Sequence, residues 1–148
     1  MMYRLPCITA LYDTNLRLLC WQWIGSFNDA EFQHSLLQLL QLTQHLHPYR
    51  WMADVSVLPA VSPAMQQWLS NEWLPHYRKL HIQMLAILLP SDLHNQLALE
   101  NLVADANPSA RCDMQYFSDA LAALDWLTLM DEDYTAQLQQ QWLVATAN

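Results

Sequence analysis

The sequence predicts a single α/β domain: a mixed, mostly parallel β-sheet of about five strands, with an N-terminal hairpin and helices packed on it. Three observations carry this. Short runs rich in β-formers alternate along the chain with longer stretches whose apolar residues recur at helical spacing. Serine, aspartate and asparagine stand where those longer stretches begin, and proline follows where several of them stop. At 148 residues and 53% hydrophobic content the chain holds one domain's worth of core, enough to bury about 70% of its unfolded surface.

Arg4 to Tyr12 and Leu16 to Ile24 flank Asp13-Thr14-Asn15, short polar residues that suit a tight turn, and together they read as a hairpin. In its second strand Leu19, Trp21 and Trp23 alternate with Leu18 and Cys20, so both faces are apolar, as in a strand covered on both sides. Gly25 ends it. Asn28 caps the next helix, with Glu31 reaching back, and Phe32, Leu36, Leu39, Leu40 and Thr43 form its buried stripe up to the stop at His47-Pro48. Arg50 to Val55 is a short strand ending near Asp54 and Ser56. Ser62-Pro63 then starts a helix that presents Met65, Trp68, Leu69 and Trp73 until Pro75 bends or ends it.

Ile82 to Leu89 is nearly all apolar and reads as a central strand. Ser91 or Asp92 caps the helix after it, with Leu93, Leu97, Leu102, Val103 and Ala106 on one side, and Asn107-Pro108 closes it. Its face of Asn95, Gln96, Glu100 and Asn101 reads as solvated. Cys112 to Phe117 is the last strand, and Ser118 caps a helix through Leu121, Leu124 and Leu127. The tail differs in character: Asp131-Glu132-Asp133 opens a helix whose Tyr134, Leu138 and Trp142 recur every fourth residue, a narrow stripe that must cover something. Residues 1-129 therefore read as the α/β domain and 130-148 as a helical extension of it. One-helix connections between successive strands imply parallel neighbours and right-handed crossovers.

Composition excludes several functions. Gly25 is the single glycine where average usage would supply roughly ten. A phosphate-cradling loop or dinucleotide-binding turn needs several residues at positive φ, so neither can be present. Fourteen acids against six bases give a net charge of −8, and the bases are scattered, so nucleic acid and anionic lipid surfaces would be repelled. Cys7, Cys20 and Cys112 are odd in number and far apart, without a CxxC pair; a reducing cytoplasm suits them better than a disulfide framework. The longest apolar run, Met84 to Leu89, is far short of the roughly 20 residues of a spanning helix, which leads us to expect a soluble protein without integral membrane association.

Candidate sites are few. Asp54, Ser56, Ser62 and Asp92 all follow strand ends, where open α/β sheets collect ligands. The plainer reading makes Asp54 an Asx turn and Ser62 an N-cap. The six histidines show no HxxxH pair, and His45 and His47 sit at a helix end where cationic side chains suit the dipole, so no metal or other cofactor is expected. Cys112 has no base nearby in sequence and Ser62 has no nucleophile elbow, so no catalytic residue is assigned. Seven tryptophans are the remaining oddity. Most should fill the core, but Trp51, Trp68, Trp73 and Trp142 are candidates for a pocket wall or an interface.

Trp51-Met52-Ala53-Asp54-Val55-Ser56, then Val61-Ser62 with Gln67-Trp68 and Trp73-Leu74-Pro75, then Ala86 to Pro90 with Asn95-Gln96, and finally Tyr116 to Asp119 with Ala123 to Leu127, follow one another in an order that resembles bacterial STAS-like domains. That family is related in fold to anti-sigma-factor antagonists and loosely to a lipid-carrier fold. The resemblance covers most of the chain up to Leu129. It implies a regulatory domain whose partner is switched by phosphorylating a serine at a helix N-terminus, the place Ser62 occupies; the family's usual Asp-Ser-Ser-Gly run is replaced here by Ala60-Val61-Ser62-Pro63. The leading expectation is thus a non-enzymatic regulatory or protein-interaction domain, self-associating through the last helix as a homodimer. The alternative is a binder of a small apolar, lipid-like molecule in a tryptophan-lined cavity, and hydrolysis or transfer near Asp54 and Ser62 is a third reading.

Overall fold

The computed structural model describes residues 1–106, 112–128 and 132–147. Its centre is one six-stranded sheet in unbroken chain order, comprising β1 (Met2–Arg4), β2 (Ile8–Asp13), β3 (Leu18–Trp23), β4 (Arg50–Asp54), β5 (Met84–Leu88) and β6 (Asp113–Phe117). The first three are antiparallel and the last three pairings parallel.

Six strands stand where about five were expected, because the first predicted strand is two. Pro6, which lacks an N–H, falls at a tight reversal in which the Leu5 N–H donates to the Ile8 carbonyl at 2.8 Å, and β1 folds back on β2 with Arg4 opposite Thr9. The β2–β3 turn is also longer than expected, reaching Arg17 at φ 51°. Gly25 ends β3 at φ 70°, where the absence of a side chain removes the strain.

Helix α1 (Asp29–Leu46) opens with the expected reciprocal cap: the Glu31 N–H donates to Asn28 Oδ1 at 2.8 Å and the Asn28 N–H to Glu31 Oε1 at 3.1 Å. After β4, Ser62 caps α2 (Pro63–Trp68) by accepting the Met65 N–H at 3.2 Å. Pro75 does not end the helical path. A π-helical turn, Leu69–Trp73, shifts the hydrogen-bond register so that Pro75 falls in the first turn of α3 (Leu74–Tyr77), where a missing N–H costs nothing.

In α4 (Leu93–Ala106) the inward stripe differs from expectation. Asp92 caps it, and Asn95, Leu99, Leu102 and Val103 turn inward, whereas Leu93 and Leu97 are exposed. Asn95 takes the first inward position, and two residues are about 200° of helix, so Leu93 and Leu97 point the other way. The expected closure at Asn107-Pro108 lies outside the described residues. Asp119, not Ser118, caps α5 (Ala120–Leu127); Ala123, Leu124 and Leu127 are buried while Leu121 is exposed. Of the tail, α6 (Glu132–Ala145) is described, Asp131 is not, and Leu138 and Trp142 are buried.

The alternation of β3 sorts the core in two. Leu19, Trp21 and Trp23, with Trp51, Ala53 and Ile87, face α1, the α2–α3 path and α4. Leu18 and Cys20, with Met52, Ala86 and Leu88, face α5 and the Leu138–Trp142 stripe of α6. All three crossovers lie over one face, as a single crossover hand requires when strand order never reverses. The other face would be bare without the C-terminal helices. No helix among the described residues is long and apolar enough to cross a membrane.

Candidate functional site

Between the first face and the crossover helices lies an apolar cavity of about 200 Å³. Its floor is the sheet: Trp21 and Trp23 from β3, Trp51 and Ala53 from β4, Leu85 and Ile87 from β5 and Met114 from β6. Phe32 and Leu36 of α1, the π turn and α3 through Leu69, Trp73 and Tyr77, and Leu99, Leu102 and Val103 of α4 line its other side. Alternate residues of a strand share one face, and those named from the four strands are all apolar, so the floor is continuous. Large rings set side by side cannot fill space as tightly as branched aliphatics, and the cavity opens among them.

The rings form a connected system. Trp21 meets Trp51 edge-on at 5.5 Å between centroids, Trp51 meets Tyr77 at 5.5 Å, and Tyr77 stacks on Trp73 at 5.5 Å. Trp23 stacks on Phe32 at 5.1 Å. The Trp73 indole N–H donates to the Leu36 carbonyl of α1 at 2.9 Å. The indole N–H groups of Trp21 and Trp51 are buried and have no hydrogen-bond partner among the described residues.

Polar chemistry in the wall is sparse. Tyr77 has its hydroxyl pushed well above the ordinary phenol range, first by desolvation and then by the neighbouring Cys112, so it stays neutral. The Cys112 thiol is raised as well, by desolvation and then by Asp113, which makes it a poor nucleophile at neutral pH. Among the described residues the one formal cation in the wall is Arg78, an exposed side chain. Among the described residues the lining is thus predominantly apolar.

The four polar candidates from the sequence serve local geometry. Asp54, buried, accepts from the Ser56 N–H at 3.1 Å and the Ser56 hydroxyl at 2.5 Å. Ser62 and Asp92 cap α2 and α4. Of the aromatic candidates, Trp51 and Trp73 line the cavity; Trp68 packs beside it, 6.4 Å from Phe32, and Trp142 lies on the opposite face. Asn95 is the residue the sequence reading misplaced. It is 3% exposed, donates to the Leu58 carbonyl at 2.9 Å and accepts from the Val61 N–H at 3.4 Å, tying α4 to the loop after β4. No signal in the sequence separates it from its solvated neighbours.

A second cleft gathers Arg17, His47, Lys79 and His81 at the opposite end of β4. The cleft lies at the C-terminus of α1, whose dipole disfavours an anion, and Arg17 donates from Nε to the His47 carbonyl at 3.2 Å while lying 3.6 Å over the Tyr49 ring. Among the described residues no group of three or more histidine, cysteine, aspartate or glutamate side chains could hold a metal ion.

No family model, curated protein or solved structure matches the chain. Any functional reading therefore rests on the cavity and the residues around it.

Proposed function

We propose that this protein binds a small apolar molecule in the cavity between its sheet and its crossover helices. One observation carries the reading: about 200 Å³ lined by tryptophan, phenylalanine and aliphatic side chains, in a domain otherwise packed as a core. An apolar cavity of about 150 Å³ stays dry and takes up benzene. This one suits a single substituted ring or a short branched chain, and burying such a molecule returns about 25 cal/mol for each Å² removed from water. The test is calorimetric titration with isopropylbenzene, with Val103→Phe as the filled-cavity control. One-to-one uptake that the control abolishes is the expected result; no uptake by the folded protein refutes the reading.

A regulatory, protein-associating domain of the STAS-like type is the second reading. Its support is a mostly parallel sheet with helices on both faces, together with Leu143 and Val144 exposed on α6 at 63% and 67%. Because Leu138 and Trp142 of that helix are buried against this chain's own sheet, self-association would have to use the Leu143–Val144 side. Light scattering at micromolar concentration decides it: a dimer dispersed by Leu143→Glu supports this reading, and a strict monomer removes the dimer.

A further inference from the structure

The sheet has two edges, and they are finished differently. β1 is three residues long, ends in Arg4 and runs on to Pro6, and charge, proline and shortness all blunt an edge against further pairing. β6, Asp113–Phe117, pairs with β5 along its whole length without a bulge and holds no lysine, arginine or proline. The Asp113 N–H donates to the Gln83 carbonyl at 2.8 Å, and the Phe117 carbonyl accepts from the Leu89 N–H at 3.1 Å, so Asp113, Gln115 and Phe117 turn their backbone groups toward β5. Alternation then aims those of Met114 and Tyr116 out of the sheet, where they have no partner among the described residues.

The same edge carries apolar surface. Leu93, Leu97 and Glu100 fall on one stripe of α4, being four and three residues apart. The Tyr116 hydroxyl is raised first by desolvation and then by Glu100, so that stripe lies on the β6 side of the helix. Leu93, Leu97 and Tyr116 are all exposed.

We propose that two copies of this chain join through β6, the strands running antiparallel about a two-fold axis at Gln115 so that one sheet continues across both. That register is self-complementary. Met114 falls opposite the partner's Tyr116 and Tyr116 opposite the partner's Met114, and each pair exchanges both of its N–H···O bonds, which satisfies every outward backbone group of the two strands. A slip of one residue would set the outward groups of Met114 against the inward groups of Gln115, so the pairing is fixed. On one face the pairs place a methionine sulfur beside a tyrosine ring, and on the other the two Gln115 amides meet across the axis. Like charges are kept apart: Asp113 falls opposite Phe117, and four residues of strand separate the two Asp113 carboxylates by about 13 Å. The net charge of −8 opposes association at long range, but physiological salt screens exposed charges beyond about 8 Å. An unrelated strand would satisfy the backbone alone, whereas a second copy also brings its own Leu93 and Leu97 to the axis. The proposal is independent of what the cavity holds and uses a different surface from the Leu143–Val144 side of α6.

Sedimentation velocity of the full chain from micromolar to submillimolar concentration tests it. The wild type should dimerise. Tyr116→Pro removes an N–H that points outward and leaves the bonds to β5 in place, so the domain keeps its fold while the dimer loses one bond from each copy and weakens by about tenfold or more. Leu143→Glu should leave the dimer unchanged. Should Tyr116→Pro fail to fold, Gln115→Cys answers in a Cys112→Ala background: the axis sets the two thiols in a non-hydrogen-bonded pair close enough for a disulfide, and mild oxidation should give a covalent dimer on a denaturing gel. Asp113→Cys in the same background should not cross-link, because its partner lies four residues away along the strand. A strict monomer overturns the proposal. So does a dimer dispersed by Leu143→Glu and not by Tyr116→Pro, and so does oxidation that links Asp113→Cys as readily as Gln115→Cys.

Discussion

Asn95 Nδ2 donates to the Leu58 carbonyl at 2.9 Å from a position buried beneath the first turn of α4, so one side-chain amide joins the helix after β5 to the loop after β4. Since α4 also lines the cavity through Leu99, Leu102 and Val103, this polar tie holds an apolar wall in place. Asn95→Ala should lower stability by about 1 kcal/mol, because the part-buried Leu58 carbonyl loses its partner. Asn95→Asp should cost as much, since a carboxylate cannot donate to a carbonyl. Urea denaturation read by fluorescence checks both, and a midpoint unchanged in either variant contradicts the assigned role.

Trp73 fixes the π turn to the middle of α1 through the Leu36 carbonyl. Trp73→Phe removes that bond and part of the ring volume while leaving the Leu36 carbonyl inside its own helix. A loss of about 2 kcal/mol is expected. Amide exchange should rise first in Leu69–Trp73 and Leu74–Tyr77; exchange that rises uniformly across the domain would contradict a local anchor.

Gly25 occupies φ 70°, and a Cβ added there meets nothing within 4 Å. The cost of Gly25→Ala is then one of backbone alone, about 1 kcal/mol, and Gly25→Asn should cost less because asparagine tolerates the left-handed region. Thermal unfolding of the pair gives the order.

Cys112 is half-buried in the cavity wall, while Cys7 and Cys20 are buried outright. Its thiol is raised by desolvation first and by Asp113 second, so the neutral form persists to higher pH than in a free thiol. At pH 8 alkylation by iodoacetamide should therefore be slower than for a cysteine peptide, and the rate should keep climbing above the usual thiol pKa of about 8.5 instead of levelling there. Isopropylbenzene in the cavity should slow it further. Mass spectrometry of the modified chain follows all of these, and a plateau at or below pH 8.5 would contradict the environment described.

Much of the local structure could be read from the chain before any fold was known. Asn28 with Glu31, Ser62 with Pro63 and the glycine after Trp23 depend on residues a few positions apart, so their chemistry is complete within a short window. The two apolar faces of β3 were equally plain, because strand alternation is a property of the segment itself. Which face received which helix was not. The strand order, the packing of Leu138 and Trp142 on the far side, the inward turn of Asn95 in place of Leu93 and Leu97, and the meeting of Trp21 with Trp51 all join residues distant along the chain. Pro75 marks the same boundary: its effect on the helix depended on a π turn held by a carbonyl of α1. A cavity is the extreme case, since its volume is what remains after every distant side chain has taken its place.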